Sequence, residues 1–446
     1  MSVGFLINFV NNTRDDVTLT AKVTDINDWD SHTANNPDVD IQNLPLAAFA
    51  VGADIHLERH DNRSTAPFDV TATFASGAVF VFRLDGCDAT QFDERESIPV
   101  SQGGDAHGVI QVLVHHEEVG GSWNRMTIVL TPPVDTRNWM ARHPDRSLTQ
   151  LNIPGTHDTG TYGGNGEEGT RCQTLTIAQQ LEAGVRFFDL RLVLNPKADP
   201  DDLGIFHGDY FQNVWLRKDI MPNVIAFLAR HPTECVVFLV NRDGGLNGPK
   251  GEPINDVLHK ILLETIPRNK LYDNNGTVLH ERTLKDLAGC VVLLRQDLPQ
   301  TFGFDVSNWP DDQAYSSTDI GVDGKVELQN AYEYAIKRLP SITYHDKWVN
   351  VKAHLDRAIA PGAVAPGENP AHWFINFTSA SHTPPTALYY PWDFATGKSW
   401  GVNYLLSRQL ATYTAHAGLR LGTIVMDFPE KPDANTLIRL LLALNG

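Results

Sequence analysis

The 446-residue chain has no apolar run near the roughly 20 residues that a helix needs to cross a bilayer, so no helical membrane span is expected. Cysteine is scarce. Cys87, Cys172, Cys235 and Cys290 stand far apart with no C-x-x-C pair, which argues against a disulfide framework or a zinc site. Cys235 and Cys290 fall in the apolar runs ECVVFLV and CVVLL, where a buried, inert thiol is expected. Positive charge is also short: Lys and Arg total 36 against 54 Asp and Glu, a net charge of −18. Such a surface repels phosphate polyanions, which excludes nucleic acid as a partner and leaves any membrane contact to local aromatics. The opening stretch MSVGFLINFVNNTRDD has no basic segment before its short apolar patch, so no secretory leader is expected in it. Secreted and cytoplasmic locations both stay open. There is no G-x-S-x-G elbow, and Gly163-Gly164-Asn165-Gly166 lacks the strand and lysine context of a phosphate-binding loop. That run reads as a rim loop.

What is present is a globular composition, 42% apolar and 20% charged, on a chain long enough for two cores. Residues 1–133 carry short segments of period-two alternation, such as GFLINFVN, VTLTAKVTDI, FDVTATFA, AVFVFRL and MTIVLTP, punctuated by Asn, Asp and Gly. This predicts an all-β sandwich domain. Its histidines are dispersed apart from His115-His116, so it carries no catalytic constellation, and a lipid- or glycan-binding module is the expectation for it. A Pro-rich link follows. Residues 138–446 then alternate strand candidates (LTQLNIPGTH, VRFFDLRLVL, LGIFHG, ECVVFLVNRD, CVVLLRQ, SITYHDKW, WFINFTS, GTIVMDFPE) with helical stretches such as TIAQQLEAG, INDVLHKILLETI and LQNAYEYAIKRL. The fold class predicted is α/β, a distorted (β/α)8 TIM-like barrel preceded by the sandwich.

In such a barrel the chemistry sits at the C-terminal ends of the strands. Those ends carry His157-Asp158, Asp189-x-Arg191, His207, Asn241-Arg242-Asp243, Arg295, His345-Asp346, Thr378-Ser379 and Asp427. Histidines beside carboxylates and arginine, with no cysteine nucleophile, suit acid–base work on a phosphate ester. One histidine takes a proton from a hydroxyl, a second returns one to the leaving oxygen, and a guanidinium holds the phosphate oxygens.

The run Asn152-Ile153-Pro154-Gly155-Thr156-His157-Asp158-Thr159-Gly160-Thr161 resembles the opening catalytic loop of phosphatidylinositol-specific phospholipase C of the bacterial, metal-independent type. Leu181 to Arg191, Phe206-His207-Gly208, Cys235 to Leu239, Leu293-Leu294-Arg295, Asn376 to Ala380 and Met426-Asp427 continue the likeness in the family's order. The resemblance implies phosphodiester cleavage of phosphatidylinositol, or of its glycosylated form, at a membrane surface. His157 would be the general base on the inositol 2-hydroxyl and His207 the general acid. Arg191 would stand where calcium-dependent relatives place an acidic ligand, so no cofactor is implied. Asp427 would orient His157, Asp158 would couple to His207, and Asp189 would steady the arginine. The products would be diacylglycerol and inositol 1,2-cyclic phosphate, the latter slowly opened to the 1-phosphate.

For the headgroup, the family's arginine corresponds to Arg295, and its Asp-x-Tyr pair to Asp346 and Trp348. Its lysine position reads Asn241 or Arg242, a departure that leaves the headgroup preference open. Tyr389, Tyr390, Trp392 and Phe394 form a candidate membrane rim, since Tyr and Trp join an apolar ring to a polar handle. A monomer is expected. Two other functions fit the same barrel: a metal-dependent glycerophosphodiester phosphodiesterase or sphingomyelinase-D-like enzyme, and a non-catalytic lipid-binding barrel. His143, His231, His345, His372 and His382 read as structural or surface residues, and Arg186 and Arg217 as solvated or salt-bridged groups at helix ends.

Overall fold

The computed structural model describes residues 3–23, 29–31, 40–59, 68–84, 100–104, 110–120, 123–163, 168–194, 199–242, 252–272, 278–296, 302–320, 324–334, 340–360, 371–381, 390–397, 401–413, 418–431 and 435–446. Contacts divide the chain into two compact units, residues 1–134 with 398–419 and 430–446, and residues 135–397 with 420–429.

Among its described residues the first unit holds eleven strands: β1 (Val3–Asn11), β2 (Val17–Val23), β3 (Trp29–Ser31), β4 (Asp40–Leu46), β5 (Ala50–Val51), β6 (Ile55–Arg59), β7 (Phe68–Phe74), β8 (Val79–Leu84), β9 (Val100–Gly103), β10 (Gln111–Gly120) and β11 (Trp123–Thr131). One sheet runs β10-β11-β1-β6-β3, with β5 on β1, and the other β4-β2-β7-β8-β9. Alternate residues point inward: Ile7 and Phe9, Val17, Leu19 and Ala21, Val70 and Ala72, Phe80 and Phe82, and Met126, Ile128 and Leu130 meet in one buried cluster drawn from both sheets. That is the sandwich the alternation predicts, since a two-residue period buries one face of each sheet. Two helices from late in the chain, Val402–Tyr413 and Thr436–Ala443, pack on each other and on β10 within this unit.

The second unit is a barrel-like sheet with helices. Its strands are β12 (Ile153–Thr156), β13 (Phe187–Leu194), β14 (Leu203–His207), β15 (Tyr210–Trp215), β16 (Val236–Arg242), β17 (Leu271–Tyr272), β18 (Val291–Arg295), β19 (Phe304–Asp305), β20 (Ser316–Ile320), β21 (Gly324–Gln329), β22 (His372–Phe377) and β23 (Thr423–Met426). The order β18-β16-β13-β12-β23-β22-β21 is parallel throughout. Among the described residues no ladder joins β17–β19 to β20–β21, so the barrel is distorted and its sheet open there. The helices are α1 (Ile177–Ala183), α2 (Met221–Arg230), α3 (Glu252–Thr265), α4 (Pro340–Ile359) and α5 (Pro391–Thr396). In α1 the local signals are complete: Thr176 and Gln179 form a capping box, and Gly184 closes the helix at φ 114°.

Three expected elements differ. Leu203–His207 is no barrel strand but runs antiparallel to the end of β13, a hairpin with β15 that carries His207 back toward Arg191. SITYHDKW is not a strand. It lies in α4, whose buried stripe of Tyr344, Lys347, Val351, Leu355 and Ala358 has helical spacing. The strand in that place is β21, whose last two residues, Leu328 and Gln329, open the stretch LQNAYEYAIKRL that was expected to be helical.

Candidate active site

Residues 153–158 carry β12 into the loop that begins the site. Gly160 has to be glycine, because a Cβ there would meet Ile205 Cγ1 at 2.7 Å. Asp158 takes the left-handed conformation, φ 43°, rare for a residue with a side chain. Its amide donates to Asp189 Oδ2 at 3.2 Å, and Thr161 returns both its amide and its hydroxyl to the Asp158 carbonyl. The strain is held by these bonds. It aims the Asp158 carboxylate at Arg191.

Five of the expected catalytic residues form one chain of contacts. His157 Nδ1 lies 2.8 Å from Asp427 Oδ1, and its Nε2 accepts from Arg191 Nη2 at 2.9 Å. With Nε2 accepting, Nδ1 carries the proton to Asp427. Arg191 Nε pairs with Asp158 Oδ1 at 2.6 Å, and Asp158 Oδ2 faces His207 Nδ1 at 3.6 Å. The sixth, Asp189, sits 3.7 Å from Arg191 Nη2. His207 Nδ1 lies 3.0 Å from the Thr170 carbonyl. Gln173 ties the His157 backbone in place by donating to the carbonyls of His157 and Met426. Asp158 and Asp427 are buried behind the cleft, Asp189 is buried at its wall, and both histidines and Arg191 reach into it.

Electrostatics follow from that packing. Burial alone would lower the His157 pKa, but the Asp158 and Asp427 carboxylates outweigh it and the net shift is upward. Asp158 is pulled the other way. Burial raises it, yet Arg191 and the two histidines hold it below the ordinary carboxylate value. Burial leaves Asp189 and Asp427 above that value.

These groups line one side of a cleft of about 550 Å³. Asn241 and Arg242 from β16 line it as expected. Arg295, Asp346 and Trp348 do not. The Arg295 side chain is buried, donating to the Phe302 carbonyl and paired with Asp305. Asp346 and Trp348 sit on α4. The strand-end pair that does face the cleft is Asn330 and Tyr332, just past β21. The same side carries Trp309 and Asp311, whose carboxylate accepts from the Tyr332 hydroxyl at 3.1 Å. The indole N–H of Trp309 is buried without a protein partner. Reading β21 correctly would have found Asn330-x-Tyr332, whereas Trp309 and Asp311 lie in an irregular segment with no periodic signal.

Of the aromatic rim, Tyr389 lies outside the described residues, Tyr390 is half-buried, and Trp392 is 41% exposed with its ring against Phe428. Phe394 is a correction: it is fully buried with Tyr344 and Ala380, so it offers nothing to a membrane. His372 pairs with Glu327, and His231 with Asn138. Arg186 is not solvated, being fully buried in an ion pair with Glu234. His157, Asp158 and Cys172 place donor atoms within 4.8 Å of one another. The Arg191 guanidinium already engages the imidazole and the carboxylate of that set, so the arrangement fits a fixed cation.

No family model matches the chain. It is 25% identical over 336 residues to a 1-phosphatidylinositol phosphodiesterase of Listeria monocytogenes, covering 71% of this chain and 88% of that one. A 1-phosphatidylinositol phosphodiesterase of Staphylococcus aureus is 25% identical over 306 residues, covering 65% and 88%. Among solved structures, a mutant phosphatidylinositol-specific phospholipase C of Staphylococcus aureus superposes with a TM-score of 0.57 at 20% identity, covering 70% of this chain and 98% of its own. The Listeria monocytogenes phosphatidylinositol-specific phospholipase C superposes at 0.52 and 22%, covering 70% and 100%. Along the barrel the chain is thus similar in sequence to 1-phosphatidylinositol phosphodiesterases of Listeria monocytogenes and Staphylococcus aureus, and it shares the fold of bacterial phosphatidylinositol-specific phospholipase C structures.

Proposed function

We propose that the protein cleaves phosphatidylinositol by attack of the inositol 2-hydroxyl on its own phosphorus. The observation that carries the reading is the unbroken chain Asp427–His157–Arg191–Asp158–His207 along one wall of the cleft. His157 Nε2 takes the 2-hydroxyl proton once the substrate phosphate draws Arg191 away from it, and Asp427 holds the imidazolium that forms. Arg191 binds the non-bridging oxygens, where charge builds in the transition state. His207, facing Asp158, donates the proton that lets the diacylglycerol oxygen leave. Water entering by the same route then opens the cyclic phosphate to inositol 1-phosphate. Asn241, Arg242, Trp309, Asp311, Asn330 and Tyr332 would hold the inositol ring, and Tyr390 with Trp392 would touch the lipid surface. The sandwich unit would serve as an accessory lipid- or glycan-binding module. Among the described residues no helix is long and apolar enough to cross a membrane.

The test is phosphorus NMR of the products from phosphatidylinositol vesicles in excess chelator. The expected result is a cyclic phosphodiester signal before any monoester. Turnover only on adding a divalent ion would move the assignment to a metal-dependent phosphodiesterase using His157, Asp158 and Cys172. No turnover under either condition would favour a lipid-binding barrel.

A further inference from the structure

Lys347 has no place in the reaction described above, yet it is among the most unusual residues of the barrel. It lies on α4 with its side chain wholly buried. Long cationic side chains almost never sit in a core without a purpose that outweighs the desolvation of the charge. Its ammonium donates to the Ala331 carbonyl and, at 3.3 Å, to Gln329 Oε1. Ala331 is flanked by Asn330 and Tyr332, both of which line the cleft. Lys347 therefore grips the back of the turn whose neighbours face the substrate site.

Gln329 extends the grip. Its carbonyl oxygen accepts from the Ala331 amide at 2.9 Å, and its amide nitrogen donates to Asn376 Oδ1 and the Phe377 carbonyl, each at 2.7 Å. The Phe377 ring stands edge-on to His157 at 6.3 Å. The buried ammonium thus braces the turn just past β21 against Gln329, the strand's last residue, and Gln329 is itself bonded to the end of β22, which abuts His157. Other bonds share the work of holding the turn: Asp312 Oδ1 accepts from the amides of Tyr332 and Glu333, the Tyr332 carbonyl accepts from the Ser381 amide at 3.0 Å, and the Asn330 amide donates to the Gln313 carbonyl at 3.0 Å.

We infer that Lys347 is a positioning residue for headgroup binding, one that holds the Asn330–Tyr332 turn in register with the catalytic wall through its bond to the Ala331 carbonyl. Burial lowers its pKa to about 7, opposed by Asp427 at the end of β23 and by Asp312, with His354 of α4 also within electrostatic reach. The grip is therefore strongest where the ammonium is protonated, and it weakens as pH rises through the neutral range.

The inference rests on the proposed phospholipase activity, and the test separates the two. Turnover of phosphatidylinositol vesicles and its inhibition by free myo-inositol are measured for the full chain and for Lys347→Met, which keeps the length and removes the charge and donor. The expected result is a KM and a myo-inositol inhibition constant each about tenfold higher, with kcat within about twofold, as uniform binding energy is lost. In the full chain the inhibition constant should rise as pH passes upward through about 7, while the variant shows no such rise. A variant that binds myo-inositol like the original chain overturns the inference, as does one that loses kcat with KM unchanged. Should Lys347→Met fail to fold, the pH dependence of myo-inositol inhibition in the original chain decides, and a flat profile refutes the proposal. Absence of turnover by the original chain would instead count against the phospholipase reading.

Discussion

Replacing Asp427 with asparagine keeps the shape of the site and removes one charge. His157 Nδ1 and Asp427 Oδ1 are 2.8 Å apart and almost dry, so the lost interaction is a charge-assisted hydrogen bond at low local dielectric. The His157 pKa is raised by Asp158 and Asp427 against the lowering effect of burial, and a general base works only when neutral. Activity in the original chain should therefore fall as pH drops through that raised value. In Asp427→Asn the acid limb should move to lower pH by about 1–3 units, the range for loss of one close opposite charge. The rate at its plateau should fall about 10²–10⁴-fold, because the asparagine amide can donate to Nδ1 and leave the proton on Nε2, the wrong tautomer for the base. Stability should move the other way. Burial holds the Asp427 pKa above its ordinary value, so ionising it at neutral pH costs folding free energy, and that cost grows as pH rises through the unfolded carboxylate range. A neutral asparagine is spared it, and the unfolding midpoint at neutral pH should be equal or higher. The assay is kcat/KM on phosphatidylinositol vesicles with chelator, from about pH 4 to pH 9, beside thermal unfolding at neutral pH. An unmoved acid limb, or a rate loss that tracks a lowered melting midpoint, would refute the orienting role of Asp427.

Three further outcomes follow from groups outside the reaction. Arg186→Met should destabilise the barrel by about 3–5 kcal/mol in urea unfolding, since Glu234 would be left buried without its partner. Trp392→Ala should weaken binding to lipid vesicles while leaving unfolding nearly unchanged, because that ring is 41% exposed. Phe394→Ala should do the reverse, costing about 3–5 kcal/mol of stability through the cavity it leaves.

The wall proposed to be catalytic was legible because its groups travel with local patterns. His157 and Asp158 follow a short buried strand that ends in Gly-Thr, Arg191 lies in the strand that comes after a capped helix, and Asp427 follows the apolar run TIVM. The facing side of the cleft was not. In α4 the helical stripe includes Lys347, and a charged residue at a core position breaks the apolar rhythm by which a helix is recognised. That one lysine let SITYHDKW pass for a strand. The error displaced β21 and substituted Asp346 and Trp348 for Asn330 and Tyr332. Phe394 shows the same limit, since an aromatic on a rim and one in a core look alike until their neighbours are known.

By itself the sequence determined the sandwich, the parallel barrel and which histidines, carboxylates and arginine stand at or near strand ends, because alternation, capping and short motifs act over a few residues at a time. Only the tertiary structure decided which strand ends share a cleft, that the antiparallel hairpin β14–β15 returns His207 to Asp158, and that Arg295 turns to Asp305 rather than to the cleft. Those outcomes depend on contacts between residues far apart along the chain, and burial, which sets both charge and exposure there, is a property of the packed whole.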